Sequence, residues 1–355
     1  MPNGLPLDMS YVSALAGKKC LVVGAGVTGR AVEQALKKFN ALPILFDEKL
    51  QPTSDVVNQI PDLIDMAVIS PGWRMDHPVI AKLKQAGVVI ISEIDFAWKI
   101  KEVLAPKQRW VGLTGTNGKT TTIKMVESIF RSAKINGAAC GNVGQTVIES
   151  VIRDQPYEHL AVELSSFQIQ WSDLPKYESV AILNIAEDHI DWHGSFDSYA
   201  SAKLKLLNHG KRSIVNKSDK ELFKRVSGNS VTWFSLDTPL PGELGVVENL
   251  LVDRAFSPSS TQAQEIAEIV DVTPTVPHNV LNALAAAAIA LSLDIPYSAI
   301  KDGLKNFSTD HHRMELVLSK NEITWIDDSK ATNPHAAIAS LLSYFNVIWI
   351  AGGLA

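Results

Sequence analysis

The feature that restricts the fold most is the run Gly115-Thr116-Asn117-Gly118-Lys119-Thr120-Thr121, set between the apolar stretch Trp110-Val111-Gly112-Leu113 and a helical pattern from Ile123 to Ala133. A glycine turn that carries a buried strand straight into a helix is a joint of a parallel α/β sheet and makes a phosphate-binding loop. Its glycines let backbone N–H groups turn inward around phosphate oxygens. Lys119 adds a point charge, Thr120 offers a hydroxyl to Mg²⁺, and the helix presents its positive N-terminal end. The general form of such loops has a glycine five positions before the Gly-Lys pair, where this chain has Leu113. The loop therefore implies a bound nucleoside triphosphate without stating the reaction.

A second joint of the same kind lies near the N-terminus. Lys19 to Gly24 reads as a buried strand, Gly24-Ala25-Gly26-Val27-Thr28-Gly29 as a tight turn, Arg30 to Phe39 as a helix and Leu42 to Asp47 as the next strand. Further strand-like runs follow at Met66 to Ser70 and Val88 to Ser92. With 355 residues the chain has room for roughly two or three domains of about 100–200 residues each. The pattern predicts an α/β protein with a Rossmann-like N-terminal domain over residues 1–104, ended by the linker Ala105-Pro106-Lys107-Gln108. A central parallel-sheet domain of P-loop ATPase type is expected over 105–309, with buried strands at Leu160 to Leu164 and Val180 to Ile185 and a helix from Pro277 to Leu293. Residues 310–355 read as strand, strand, helix (Asn333 to Tyr344) and strand (Asn346 to Ile350), ending at Gly352-Gly353-Leu354-Ala355. That is too short for an independent core and is expected to be the start of an incomplete Rossmann-like domain.

Composition excludes several classes. Hydrophobic residues at 46% and charged residues at 20% fit a soluble globular chain, and no apolar run reaches the roughly 18 residues of a membrane span. Met1 to Ser10 shows no basic segment leading into an apolar one, so a cytoplasmic location is expected. Cys20 and Cys140 suit neither a disulfide framework nor a thiolate metal site, and both read as small buried residues. The net charge of −5, with no Lys/Arg cluster, speaks against nucleic acid. No large apolar stripe suggests a partner surface, so a monomer is expected.

Four constellations carry chemistry. Gly24-x-Gly26-x-x-Gly29 with Asp47 downstream satisfies a dinucleotide fingerprint, which a UDP-linked compound would satisfy equally; the alternative is a turn and nothing more. Glu163-Leu164-Ser165-Ser166-Phe167-Gln168 puts a carboxylate at a strand end, as a Mg²⁺ ligand or as a helix cap. Asn184 to Asp191 brings Glu187, Asp188, His189 and Asp191 close in sequence, a second metal-site candidate. His311-His312-Arg313-Met314-Glu315 and Asp327 to Asn333 flank a predicted hairpin, Met314 to Ile326, where Arg313 and Lys330 would neutralise a phosphoryl group or clamp a carboxylate, or else form surface ion pairs. Lys203 and Lys205, in the helical stretch Phe196 to Leu207, read as solvated surface cations.

Taken in order, these motifs resemble the Mur ligase family, the ATP-dependent amide-forming enzymes of peptidoglycan precursor synthesis. The loop Gly115 to Thr120 matches that family's own form, including its departure at Leu113. Glu163 to Gln168 and Asp328-Ser329-Lys330-Ala331-Thr332-Asn333 resemble the branch that adds D-glutamate to UDP-N-acetylmuramoyl-L-alanine, which implies a role in cell-wall biogenesis and so in cell shape and division. The resemblance implies that Val27, Thr28, Asp47 and also Glu48 and Lys49 contact UDP, and that Asn142, Ser165 and Gln168 hold the muramoyl arm. Lys119 would contact ATP phosphates. Thr120 with Glu163 would hold one Mg²⁺, and His189 with a carbamoylated Lys203 the other. Asn282 would face adenine, Asp328 the ribose and Arg313 the phosphates, with Lys330 and Thr332 at the transferring phosphoryl group and incoming D-glutamate. The implied reaction phosphorylates a carboxylate, lets the amine attack the acyl phosphate and expels phosphate. Other ligases of Mur or folylpolyglutamate type, and a nucleotide-binding remnant without catalysis, are the alternatives.

Overall fold

The computed structural model describes residues 10–228, 231–257 and 262–352. Met1 to Met9, most of the stretch read for a leader, lie outside them, as do Gly353, Leu354 and Ala355. The chain forms two compact units. One comprises Met1–Thr114, Ile135–Val180 and Ile190–Lys211; the other comprises Gly115–Lys134, Ala181–His189 and Arg212–Ala355.

The first unit opens with a five-stranded sheet made of β1 (Lys19–Val23), β2 (Leu42–Phe46), β3 (Val56–Val57), β4 (Met66–Ile69) and β5 (Val89–Ser92). Their order is β3-β2-β1-β4-β5, all parallel. Leu21, Val22, Ala67 and Ile69 are almost fully buried, as continuous apolar runs in a sheet covered on both faces require. The order reverses direction between β1 and β4, the place where open α/β sheets bind ligands beyond their carboxyl ends. The helix Glu93–Leu104 starts on Ser92, whose Oγ accepts from the Asp95 N–H, and it ends where the linker was expected. The unit also holds β6 (Arg109–Thr114), β7 (Gly137–Gly141) and β8 (His159–Glu163), with β8 paired in parallel to both others. Cys20 and Cys140 are both fully buried. At the unit boundary, regular pairing in β9 (Ser179–Ile182) stops short of the expected Ile185.

In the second unit β10 (Ser213–Asn216), β11 (Val231–Phe234) and β12 (Glu243–Val247) run parallel, followed by antiparallel β13 (Leu250–Asp253) and β14 (Gln264–Glu268). The helix Pro277–Leu291 has Pro at its first position and is buried from Ala283 to Ala290, as an apolar-all-round helix must be. Helix Lys119–Ser132 buries Ile123, Val126, Ile129 and Phe130 on one stripe. Helix Tyr297–Lys305 approaches it so closely that a Cβ on Gly303 would lie 2.5 Å from the Ile129 Cα. The hairpin β15 (Glu315–Lys320) and β16 (Ile323–Asp327) pairs Glu315 with Asp327, which brings the two flanking clusters to one end as expected. Helix Pro334–Leu341 follows. The strand expected at Asn346 to Ile350 is not formed: these residues carry no ladder, and an apolar run without a neighbouring strand to pair with has no reason to hold extended structure.

Candidate active site

In the first unit the glycine fingerprint is a real strand-to-helix turn. Gly24 has φ +102, and a Cβ there would lie 2.9 Å from Ser70 and from the Trp73 indole nitrogen; a Cβ on Gly29 would collide with the Gly24 carbonyl. Turn geometry therefore accounts for those two glycines. It does not account for Gly26, which has φ −74, nothing within 4 Å of where a Cβ would stand, and no side-chain cap to offer the helix Val27–Lys38. Val27, the first residue of that helix, is 77% exposed, so the uncapped helix start lies at the surface. Asp47 joins this turn, its Oδ2 accepting from Ala25 N–H at 3.1 Å and its Oδ1 from Lys49 N–H at 3.1 Å. Thr28 lies on the first turn of the same helix. Glu48 pairs with the His77 Nε2 at 3.0 Å, and the His77 ring meets Trp73 edge-on at 4.7 Å. Ser70, Trp73 and His77, which stand around this turn, were given no role from sequence, where only the loop Ser70-Pro71-Gly72 after a strand marked the place.

The same unit holds the muramoyl-arm candidates. Ser165 and Gln168 form a capping box: Ser165 Oγ accepts from Gln168 N–H at 3.2 Å, and Gln168 Oε1 accepts from Ser165 N–H at 2.9 Å. Ser165, not Glu163, thus caps the helix Ser166–Trp171. Glu163 is 1% exposed. Its Oε1 accepts from Asn142 Nδ2 at 3.0 Å, while its Oε2 is buried with no hydrogen-bond partner among the described residues. A buried carboxylate oxygen without a donor is costly unless a cation meets it, so the donor set here fits a hard divalent ion. Lys203 overturns its reading as a surface cation. It is 2% exposed, with Nζ donating to Thr114 Oγ1 at 3.3 Å and lying 4.8 Å from the Tyr199 ring centre. Lys205, by contrast, pairs with Asp173 at 2.7 Å. The helix Phe196–Leu204 turns Lys203 inward and ends before Lys205.

In the second unit the phosphate-binding loop is clamped from behind. Asn184 Oδ1 accepts from Asn117 N–H at 2.8 Å, its amide donates to Asn117 O at 3.1 Å, and its carbonyl accepts from Thr116 N–H at 3.1 Å. Thr116 Oγ1 exchanges hydrogen bonds with the Ala186 backbone. Gly118 has φ +81 and stands at the N-terminus of helix Lys119–Ser132 with no side chain to cap it, a helix end whose dipole favours an anion. Lys119 Nζ donates to the carbonyls of Gly115 and Thr116, each at 2.8 Å, which holds its charge over the loop. Gly115 has Leu183 against it, 3.0 Å from where a Cβ would stand. Thr120 and Thr121 follow on the helix's first turn.

A cavity of about 330 Å³ opens on this loop, lined by its Asn117, Gly118 and Thr121. Asn282 lines it from the Ala-rich helix, and Arg313, Asp328 and Lys330 from the C-terminal segments. Residues spaced over more than half the chain are thereby gathered in one unit. Asp328 accepts from Met314 N–H at 3.0 Å and from the Ser340 hydroxyl. Asn333 exchanges amide hydrogen bonds with Asn117 at 2.8 and 3.3 Å, tying the cap of helix Pro334–Leu341 to the loop. Thr332 is exposed and outside the lining. His278 lines the cavity without having been assigned a role; burial lowers its pKa against the opposing pull of Asp328.

The acidic run after β9 is only partly gathered. His189 has φ +52, its N–H donates to Asp188 Oδ1 at 3.0 Å, and its ring lies 3.7 Å from that carboxylate. Among the described residues, the group of three His, Cys, Asp or Glu side chains whose ligand atoms all lie within 4.8 Å of one another is instead His312, Glu315 and Asp327. These groups bond to each other at the base of the hairpin, with His312 Nδ1 at 2.6 Å from Asp327 Oδ2; that hydrogen bond holds the Asp327 carboxyl down at about 2.

Comparison with known proteins gives this geometry a context. A family model described as the Mur ligase middle domain matches residues 113–290. The chain is 42% identical to the UDP-N-acetylmuramoylalanine--D-glutamate ligase of Thermobifida fusca (strain YX), over 96% of this chain and 78% of that protein. Among solved structures it is similar to a pseudomurein peptide ligase type C from Methanothermus fervidus, with TM-score 0.56 and 20% identity over 93% of this chain and 78% of that one. It is also similar to a MurF ligase from Thermotoga maritima in complex with ADP, with TM-score 0.54 and 18% identity over 94% and 74%. At those identities the two structures speak for the α/β fold alone. On the domain match and the extent of identity to its relative, the chain belongs to the Mur ligase family.

Proposed function

We propose that this chain is an ATP-dependent ligase that joins D-glutamate to UDP-N-acetylmuramoyl-L-alanine through an acyl phosphate, in peptidoglycan precursor synthesis. The observation that carries the reading is the cavity where the loop residues Asn117 and Gly118 meet Asn282, Arg313, Asp328 and Lys330. A triphosphate on the loop would place adenine toward Asn282 and ribose toward Asp328, with Arg313 and Lys330 as the cations that offset charge as a phosphoryl group moves. A carboxylate is a poor electrophile at neutral pH, and phosphorylation gives it a leaving group. The identity to a relative named for D-glutamate addition supports the choice of amino acid. The helix N-terminus at Gly26, without a side-chain cap and with Asp47 beside it, supports a pyrophosphate and ribose of UDP there, with Val27 and Thr28 as further contacts.

Thr120, Glu163, His189 and Lys203 are the groups proposed to hold Mg²⁺, Lys203 as its carbamate. When bound, Mg²⁺ would neutralise phosphate oxygens. Ser165 and Gln168 stay proposed contacts to the muramoyl arm, on a helix start that their capping box makes rigid. No helix among the described residues is long and apolar enough to cross a membrane, and a nucleotide-linked substrate fits the cytoplasm. The test is phosphate release from ATP with UDP-N-acetylmuramoyl-L-alanine and a panel of amino acids. Release that depends on D-glutamate is expected; release that follows L-alanine, a diamino acid or no amino acid would refute the assignment.

A further inference from the structure

We infer that Asn142 is a positioning residue for cation binding, holding the Glu163 carboxylate by one oxygen so that the other is left for a divalent ion; this rests on the proposed role of Glu163 as a metal ligand. Two neighbouring strands make the hold. β7 pairs Gly141 with Glu163, and Gly141 has φ +106, where a Cβ would collide with the Glu163 carbonyl; only glycine lets the end of β7 come this near. The next residue, Asn142, then grips Glu163 twice. Its N–H donates to the Glu163 carbonyl at 2.9 Å and its side-chain amide to Oε1 at 3.0 Å.

The far end of the same loop is fixed as well. Gly141 N–H donates to Gln145 O at 2.9 Å, and Thr146 caps the helix Val147–Val151 in a capping box with Glu149. The buried Glu93 accepts from Ile148 N–H at 2.9 Å. The backbone around Asn142 is therefore fixed, which keeps its side-chain amide within reach of Glu163 Oε1. Glu163 Oε2 is left buried and without a hydrogen-bond partner among the described residues. One satisfied oxygen and one open oxygen on a fixed carboxylate is how an outer residue orients a metal ligand. Asn142 is itself exposed, so the residue implicated in substrate contact also sets the metal ligand.

The experiment is Mn²⁺ titration, followed by electron paramagnetic resonance, of the purified chain with a non-hydrolysable ATP analogue. Wild type is compared with Asn142→Ala, Asn142→Leu and Glu163→Gln, and thermal unfolding reports whether each variant is folded. Both Asn142 variants are expected to bind Mn²⁺ about 10–100-fold more weakly. Glu163→Gln is expected to lose the site. If folded Asn142 variants bind Mn²⁺ like wild type while Glu163→Gln does not, the positioning role is overturned and Asn142 is a substrate contact alone. If Glu163→Gln also binds like wild type, the metal reading of Glu163 fails, and with it the inference built on it.

Discussion

Glu93 and Glu163 are both about as buried as a carboxylate can be, and they meet that burial in different ways. Glu163 has one oxygen satisfied and one open, whereas Glu93 accepts from the amides of Ile148 and Val147. Burial still dominates at Glu93 and pushes its carboxyl up to about 7 from an ordinary 4.5. Below about pH 4.5 the group is neutral in folded and unfolded chains alike; between 4.5 and 7 the unfolded chain ionises and the folded one holds its proton. Stability is therefore lost as pH rises through that window and levels off above it. Glu93→Gln, which mimics the neutral acid, is expected to remove this slope from the unfolding temperature plotted against pH. Parallel profiles for wild type and variant would contradict the assignment. At this scale the sequence was least legible. Lys203 and Lys205 lie two positions apart in one helical stretch, and only packing against Tyr199 and Thr114 separates the buried one from its half-buried neighbour. Likewise, nothing in Glu163 to Gln168 says whether Ser165 and Gln168 bond a substrate or each other.

Helix Lys119–Ser132 shows what local pattern conveys and what it omits. Apolar spacing placed its start at Ile123, yet it begins at Lys119, because the left-handed Gly118 ends the loop and the first turn is polar. That polar turn is where phosphate oxygens would sit. Gly118 is constrained twice, by φ +81 and by Asn282 Oδ1, 2.5 Å from where a Cβ would stand. Left-handed backbone costs a non-glycine residue about 1–2 kcal/mol, and the contact with Asn282 adds to it. Gly118→Ala is expected to lower the unfolding temperature and to weaken ATP binding at least ~10-fold by calorimetry, since it displaces both the loop and the residue proposed at adenine. Wild-type affinity would show that the loop does not hold the nucleotide. The run Asn346 to Ile350 failed in the opposite way. Its β-branched and aromatic residues satisfy strand preference, but strand structure depends on a partner that composition does not supply.

For the molecule as a whole, the α/β class with parallel strands followed from glycine joints between apolar runs and helices, whereas the order β3-β2-β1-β4-β5 is seen only in the structure. The cavity was legible only as separate motifs. Asn117, Asn282, Arg313, Asp328 and Lys330 are scattered along the chain, and their convergence is a property of topology. Asn184, which clamps the loop, and His278, which lines the cavity, carry no signature beyond a position at a strand end or helix start. The reaction proposed for this cavity requires that an oxygen of the substrate carboxylate leave on phosphate. Substrate labelled with ¹⁸O in the alanyl carboxylate, incubated with ATP and D-glutamate, therefore gives the most direct test by mass spectrometry of the phosphate formed. The expected result is one ¹⁸O in each phosphate released, matched by one new amide. Amide formed with unlabelled phosphate, or no amide with D-glutamate at all, would contradict it.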